Sequence, residues 1–181
     1  MIGAGQFTIV HKLNDKVVWK GPSNKSYFFS ARAVEIEGRI YGHLGRNKRI
    51  ARCINWGDDF VGLRYECNSN LKTYLKNTHL INRAKYCIAQ QTIEAVAFIN
   101  RKDVIYSDLS ARQFLVDRRC NVRLTDFGGL SLQYKHMMIV FQSHCQELSL
   151  NILLSQPPLN EGARNFPIAL YCTRQRTIRH L

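Results

Sequence analysis

The chain has 181 residues, is 45% hydrophobic and carries a formal net charge of +13, which suits a globular protein of one domain or two small lobes. Apolar runs such as "MMIVF" fall far short of the ~18 residues that a membrane helix needs. The six cysteines form no C-x-x-C pair, which argues against a zinc ribbon or a disulfide framework. With no signal-peptide pattern at the N-terminus, we expect an intracellular, cytoplasmic protein without a membrane partner.

The positive charge attracts polyanions in general, but it does not form one continuous run. The densest clusters are "GRNKRIAR" at 45–52 and "CTRQRTIRH" at 172–180. Neither a zinc-finger nor an RNA-binding signature accompanies them. The clusters therefore favour a solvated basic surface, and we do not expect a nucleic-acid partner.

Strands and helices are predicted in alternation through the first hundred residues. Residues 7–13 and 16–20 are rich in β-branched and aromatic side chains, and Asn14-Asp15 supplies a turn between them. Apolar residues at helical spacing predict helices at 28–44 and 81–100, with Gly45 ending the first. Residues 50–67 between the helices again resemble strands.

Shorter elements follow the second helix. Residues 114–116 and 122–124 have the pattern of a small hairpin, and 155–167 has the composition of a loop. Beyond residue 130 the periodicity is too poor to predict any element.

Two glycines and four charged residues are candidates for a functional site; three of the charged residues follow or end predicted strands, and the glutamate lies in the middle of the first predicted helix. Gly3 and Gly5 lie at the tip of a predicted strand-turn-strand, where backbone N–H groups can approach a phosphate. Singly, each charged residue has an ordinary explanation as a solvated lysine, a paired helical glutamate, or a turn or cap aspartate. The four are Lys20, Glu37, Asp108 and Asp126.

The order of these residues resembles the signature of the protein kinase family. "GAGQFTIV" resembles the glycine-rich loop, with Thr8 in place of its third glycine, and "VVWK" resembles V-A-I-K. Glu37 stands where the helix glutamate is expected, "YSDLSARQ" resembles the catalytic loop, and "DFG" is intact at 126–128. The resemblance covers residues 1 to about 130.

The resemblance implies a site for ATP and Mg²⁺. Lys20 would hold the α- and β-phosphates and be positioned by Glu37, and Asp108 would accept the proton of the substrate hydroxyl. Asp126 and Gln113 would bind the metal. The other residues implied to contact the nucleotide belong to the glycine loop and to the hinge "GLRYEC": Gly3, Gly5, Val10, Tyr65, Glu66 and Cys67.

The sequence also departs from the family pattern. Tyr106-Ser107 replaces His-Arg before Asp108, which removes the usual partner of an activating phosphate. Gln113 replaces an asparagine and is longer by one methylene, so its oxygen is displaced from the second Mg²⁺ position. Arg112 resembles the A-A-R variant of tyrosine kinases.

No A-P-E motif follows Asp126, and only 55 residues remain. The expectation is a kinase fragment, either truncated or with an unrelated tail. Its fold class would be α+β and bilobal, with an antiparallel-sheet lobe at 1–67, the start of a helical lobe at 68–130 and a divergent tail at 131–181.

The expected function is ATP-dependent phosphoryl transfer to a protein hydroxyl, with serine or threonine favoured over tyrosine by base rate. The partners would be ATP and a protein substrate. Three alternatives stay open: an inactive ATP-binding pseudokinase that serves as an interaction module, a small-molecule phosphotransferase of the kinase-like fold, and a basic nucleic-acid binder that rests on charge alone.

Overall fold

A five-stranded antiparallel sheet forms the N-terminal part of the computed structural model, which describes residues 1–104, 106 and 109–128. Its order is β1-β2-β3-β5-β4. The predicted strand regions are confirmed, and a two-residue strand at the glycine-rich end is added to them. The strands are β1 (Gly3–Ala4), β2 (Thr8–Lys12), β3 (Val17–Pro22), β4 (Cys53–Trp56) and β5 (Val61–Arg64).

The turn between β2 and β3 sets the register of that hairpin. The Asn14 side-chain oxygen accepts hydrogen bonds from the backbone N–H groups of Lys16 (2.8 Å) and Val17 (3.0 Å), a local turn that asparagine favours. In the resulting register Lys20 pairs with Val10 on one side and with Val61 on the other. Lys20 therefore lies on the central strand of the sheet.

One long helix, α1 (Phe28–Leu44), packs against this sheet and has the bounds that the apolar spacing predicts. Its buried face includes Val34, Glu37 and Ile40, which recur at helical spacing. The helix ends at Gly45, whose φ of 64° favours glycine, and the Gly45 N–H donates to the Tyr41 carbonyl at 3.0 Å.

A tryptophan from the edge strand β4 packs against α1 at Gly38 and Gly42. A Cβ atom at Gly38 would lie 2.7 Å from Trp56 Cε3, and one at Gly42 would lie 3.3 Å from Trp56 Cζ2. Because neither glycine has a side chain, the helix surface leaves a groove in which the Trp56 indole lies. Because Gly38 directly follows Glu37, this packing also fixes the position of the glutamate.

Two helices, α2 (Leu71–Asn77) and α3 (Asn82–Arg101), open the C-terminal part. Helix α2 was not predicted from the sequence; its N-cap is Asn70, whose side-chain oxygen accepts from the Thr73 N–H at 2.9 Å. Helix α3 was predicted within one residue at each end, and Ile88, Ala95 and Ile99 line its buried face. No helix among the described residues combines the length and apolar character needed to cross a bilayer.

A hairpin of β6 (Phe114–Val116) and β7 (Val122–Leu124) packs against α3 at the predicted positions. Strand β7 also bonds to the segment that follows α1, because Leu124 N–H donates to the Arg49 carbonyl and Ala51 N–H donates to the Leu124 carbonyl, both at 2.8 Å. These bonds join the two parts of the chain. The predicted tail at 131–181 lies outside the described residues.

One prediction about charge was wrong in part. Arg49, from the basic cluster at 45–52, has a side chain only 13% exposed, and its Nε donates to Glu94 Oε2 at 2.8 Å. The reason is the attachment of this segment to α3, which turns Arg49 inward, while Arg46, Lys48 and Arg52 stay exposed.

Candidate active site

Lys20, Glu37 and Asp126 meet between the sheet and α1, and we call them the Lys20 cluster. Lys20 Nζ lies 2.7 Å from Glu37 Oε2 and 2.5 Å from Asp126 Oδ1. The Lys20 and Glu37 side chains are 7% and 0% exposed, whereas that of Asp126 is 52% exposed. The cluster therefore has two buried members and one that faces solvent.

Burial and pairing act in opposite directions on the ionisation of this cluster. Burial lowers the pKa of Lys20, but the carboxylates of Glu37 and Asp126 outweigh it and the net shift is upward. Lys20 is therefore an ammonium at neutral pH. Burial raises the pKa of Glu37, and the Lys20 charge opposes that shift.

The segment after β7 presses closely against α1. Phe127 N–H lies 3.4 Å from Glu37 Oε1, and a Cβ atom at Gly128 would lie 3.2 Å from the Ala33 carbonyl oxygen and 3.3 Å from Glu37 Oε2. Glycine at 128 thus permits the approach of this segment to the helix. The close contact brings Asp126 within reach of Lys20.

Aromatic rings hold Phe127 and fix the backbone of Asp126. The Phe127 ring is fully buried, with its centroid 5.0 Å from Tyr41 and 5.7 Å from Tyr106, both in edge-on packing. Tyr106 Oη donates to the carbonyls of Thr125, at 2.9 Å, and Asp126. Asp126 adopts a φ of 67°, a conformation that costs energy and is stabilised by these surroundings.

Tyr106 thus has a structural role that the sequence analysis missed. The comparison with the kinase motifs identified Tyr106 only as the residue that replaces a histidine. The available signal was its place within the short apolar run "VIY", which predicts burial, and Tyr106 is indeed 4% exposed. Its hydroxyl partners lie nineteen and twenty residues away and leave no local pattern.

A cavity of about 370 Å³ opens beside the Lys20 cluster. Apolar walls come from Val18, Leu63 and Leu115, which the sequence analysis did not single out. Tyr65 of the hinge also lines the cavity, whereas Cys67 does not. Seven residues predicted to contact nucleotide or metal lie on it: Gly3, Gly5, Val10, Lys20, Tyr65, Glu66 and Asp126.

The glycine loop covers one side of this cavity. Gly3 pairs with Val10 across β1 and β2, and the Gly5 N–H donates to the Thr8 carbonyl at 2.8 Å. The tip is attached to the chain after β3, because the Ser23 N–H donates to the Phe7 carbonyl at 2.9 Å. Backbone without large side chains therefore faces the space above Lys20.

Gln113 lies apart from the cavity and its amide oxygen is already engaged. Its Oε1 accepts from the Ser110 N–H at 3.1 Å and from the Ser110 hydroxyl at 2.5 Å. These bonds close a capping box around the single 3₁₀ turn at Ala111–Gln113. Asp108, the predicted acceptor of the hydroxyl proton, lies outside the described residues.

The described residues hold no cluster of three or more His, Cys, Asp or Glu side chains that could bind a metal alone. Asp126 offers a half-exposed carboxylate on the cavity beside the Lys20 ammonium. This donor set fits a hard cation such as Mg²⁺, which takes its ligands from one or two carboxylates together with the phosphates of the substrate. Gln113, as placed, gives both acceptor positions of its oxygen to Ser110.

Several protein kinases are similar to this chain in sequence. The human cAMP-dependent protein kinase catalytic subunit PRKX is 23% identical over 145 residues, covering 70% of this chain and 38% of the relative. The human tyrosine-protein kinase TXK is 25% identical over 140 residues, covering 70% of this chain and 25% of the relative. The carbon catabolite-derepressing protein kinase of Secale cereale is 36% identical over 72 residues, covering 39% of this chain and 14% of the relative.

The chain spans less than half the length of each of these three relatives. The sequence model of the family described as protein tyrosine and serine/threonine kinase matches residues 46–150, more than half of the chain. The expected bilobal architecture is confirmed, with a five-stranded sheet followed by helices. The chain belongs to the protein tyrosine and serine/threonine kinase family, of which it carries part of the domain.

Proposed function

We propose that this chain binds ATP together with Mg²⁺ and transfers a phosphoryl group to the hydroxyl of a protein. The observation that carries the proposal is the Lys20 cluster, in which a buried ammonium and a half-exposed carboxylate border a cavity roofed by glycine-rich backbone. Protein kinases as a family use ATP and Mg²⁺.

Each residue of the cluster has a distinct part in the proposal. Lys20 pairs with the α- and β-phosphates, and Glu37 holds it in place from the buried side. Asp126 and Gln113 are the proposed metal residues, and Gln113 takes that part only after it releases Ser110. The bound metal supplies charge neutralisation for the transferring phosphoryl group. Asp108 is proposed to orient the acceptor hydroxyl.

The hinge end of the cavity is proposed to take the adenine. Leu63, Tyr65 and Glu66 line that end, with Val10, Val18 and Leu115 as the apolar walls that flank a flat ring. Cys67, which the resemblance also implies as a contact, adjoins Glu66 and belongs to the proposal through its backbone only.

An inactive ATP-binding pseudokinase is the second candidate function. The observation that favours it is the engagement of the Gln113 amide oxygen by Ser110, since a metal site that depends on Gln113 would then be incomplete. Both candidates require nucleotide binding, and they differ only in turnover.

The test has a binding arm and a turnover arm, both on the full 181-residue chain. Calorimetric titration with Mg-ATP should show binding to the parent and weaker binding to Asp126→Asn. ADP release with a generic protein acceptor should occur in the parent and be abolished in Asp108→Asn while ATP affinity is kept. Binding without turnover in the parent supports the pseudokinase; absence of Mg-ATP binding by the folded parent contradicts both.

A further inference from the structure

A second group of buried charges joins the hinge to the β6–β7 hairpin. It consists of Glu66, Asp117 and Arg123, and we call it the Arg123 cluster. The side chains of these residues are 3%, 13% and 19% exposed. Glu66 also lines the cavity, whereas Asp117 and Arg123 have no part in the proposed chemistry.

The Arg123 guanidinium contacts three different segments. Its Nε lies 3.2 Å from Glu66 Oε1 of the hinge, and its Nη2 donates to Asp117 Oδ2, after β6, at 3.0 Å. Its Nη1 donates to the Lys48 carbonyl, in the segment between α1 and β4, at 3.0 Å. One side chain therefore joins the hinge, the segment after α1 and the turn of the β6–β7 hairpin.

These segments include the chain connection between the sheet and the helical part, and a second segment that is hydrogen-bonded to β7. The hinge connects β5 to α2, and the segment after α1 is bonded to β7 through Arg49 and Ala51. Strand β7, which carries Arg123, leads directly to Asp126. Arg123 thus lies three residues from the metal end of the cavity while its side chain contacts the base end.

We infer that Arg123 is a positioning residue that aligns the hinge with Asp126, so that one nucleotide contacts both ends of the cavity at once. The inference rests on the proposed function, because its ligand test requires a nucleotide site, whereas its structural test does not. Arginine suits this part because its planar fork reaches several acceptors in fixed directions, which lysine cannot do.

The structural test is hydrogen exchange of Glu66→Gln. Glu66 contacts Arg123 but no residue of 124–126 in the contacts described, so a purely local effect would stay within the hinge. If Arg123 transmits the change, amide exchange should rise roughly three- to thirty-fold both at 65–68 and at 124–126. Exchange that rises at 65–68 alone would overturn the inference.

The ligand test uses three probes: adenosine for the base end, Mg-tripolyphosphate for the phosphate end, and Mg-ATP for both. Linking two ends in one ligand raises affinity only when their geometry permits simultaneous contact. Arg123→Gln should therefore weaken Mg-ATP roughly three- to thirty-fold and leave the affinity of each half ligand within about two-fold. Equal losses for adenosine and Mg-ATP, or no loss for Mg-ATP, would overturn the inference.

Arg49→Gln is the matched control, because Arg49 is also a largely buried arginine with a carboxylate partner but has no contact to the hinge. It should lower the thermal midpoint without changing exchange at 65–68 or the ratio of Mg-ATP to adenosine affinity. If Arg123→Gln does not fold, Arg123→Lys and Glu66→Gln take its place in both tests. A parent that binds none of the probes contradicts the proposed function, and the exchange test then decides the inference alone.

Discussion

The Lys20 cluster and the Arg123 cluster contain the same ingredients, one cation and two carboxylates, in two different settings. In the Lys20 cluster the ion pairs are 2.7 and 2.5 Å long and one carboxylate, Asp126, is half exposed on the cavity. In the Arg123 cluster every member is at most 19% exposed. The first cluster can exchange a partner for a ligand, and the second cannot.

The types of the two cations fit these settings. Lysine is a compact point charge on a flexible stem, so Lys20 can leave Asp126 for a phosphate without losing Glu37. Arginine presents donors in several fixed directions, and Arg123 donates to Asp117 and to the Lys48 carbonyl while its Nε forms an ion pair with Glu66. Buried charge alone therefore does not mark a ligand site; an open side and a cation free to change partner are also needed.

The largest expected effect comes from removing the cation of the open cluster. Lys20→Met should weaken Mg-ATP binding roughly ten- to a hundred-fold, because a charged hydrogen bond to phosphate contributes about 1.5–3 kcal/mol. Unlike Arg123→Gln, it should also weaken Mg-tripolyphosphate. Calorimetric titration of both ligands measures the difference.

Lys25→Met is the control for this prediction, since Lys25 is 72% exposed and pairs with Asp59 away from the cavity. It should leave both affinities unchanged. If Lys20→Met retained the parent affinity for Mg-tripolyphosphate, the distinction between an open and a closed cluster would be wrong.

The second prediction concerns a substitution on α1 next to Glu37 of the Lys20 cluster. Gly38→Ala places a methyl group 2.7 Å from the Trp56 ring, and overpacking of this kind costs about 1–3 kcal/mol in the free energy of unfolding. Because Glu37 is the adjacent residue, ATP affinity should fall as well. Urea unfolding and ATP titration measure the two effects.

Gly42→Ala offers a matched comparison, because its methyl group would meet the same ring at 3.3 Å, where a small shift relieves the contact. A helical glycine-to-alanine change also gains roughly 0.5–1 kcal/mol from reduced backbone entropy in the unfolded chain. Gly42→Ala should thus be the milder variant. A larger loss at Gly42 than at Gly38 would show that Trp56 does not set the position of α1.

The two clusters also differ in how far the sequence predicted them. Lys20, Glu37 and Asp126 could be found because they occur in the order of the family's motifs: Lys20 ends a strand, Glu37 lies in the middle of a helix, and Asp126 begins Asp-Phe-Gly. Helix α1 itself was predicted from apolar spacing. The Arg123 cluster joins residues 66, 117 and 123 through side chains only, so no local pattern reports it. Helix α2 was missed for a related reason: its seven residues are too few for a periodic signal.

The third prediction concerns the acid dependence of the closed cluster. Burial raises the pKa of Asp117, but the hydrogen bonds from Asn121, Arg123 and the Arg119 N–H outweigh it, so the pKa is lowered from 3.8. A lowered carboxyl pKa stabilises the fold above the unfolded value, and this stability is lost as the pH falls through the folded value. Glu66 has the opposite sign, since burial raises its pKa despite Arg123.

Asp117→Asn should therefore lower the free energy of unfolding by about 1–3 kcal/mol at neutral pH and flatten its decline below about pH 4. Glu66→Gln should instead remove a contribution that is lost as the pH rises above about 4.5. Urea unfolding of both variants between about pH 3 and about pH 7 gives the two slopes. Identical pH profiles for both variants would contradict the opposite shifts.

The smallest effect is expected at Gln113, which belongs to neither cluster. Its oxygen accepts two hydrogen bonds from Ser110, so a metal contact there competes with bonds already formed. Gln113→Asn shortens the side chain, and Ser110→Ala removes the hydroxyl donor at 2.5 Å; either change frees an acceptor position.

Both variants should lower the Mg²⁺ concentration needed for half-maximal ATP binding by roughly two- to ten-fold. This change corresponds to the free energy of one neutral hydrogen bond. Gln90→Asn, an exposed amide on α3, is the control and should leave the Mg²⁺ dependence unchanged. If Gln113→Asn also raises ADP release, the engaged amide limits turnover, which favours the active kinase over the pseudokinase. If neither variant shifts the Mg²⁺ dependence, Asp126 binds the metal without Gln113, and the open cluster is complete without the catalytic-loop amide.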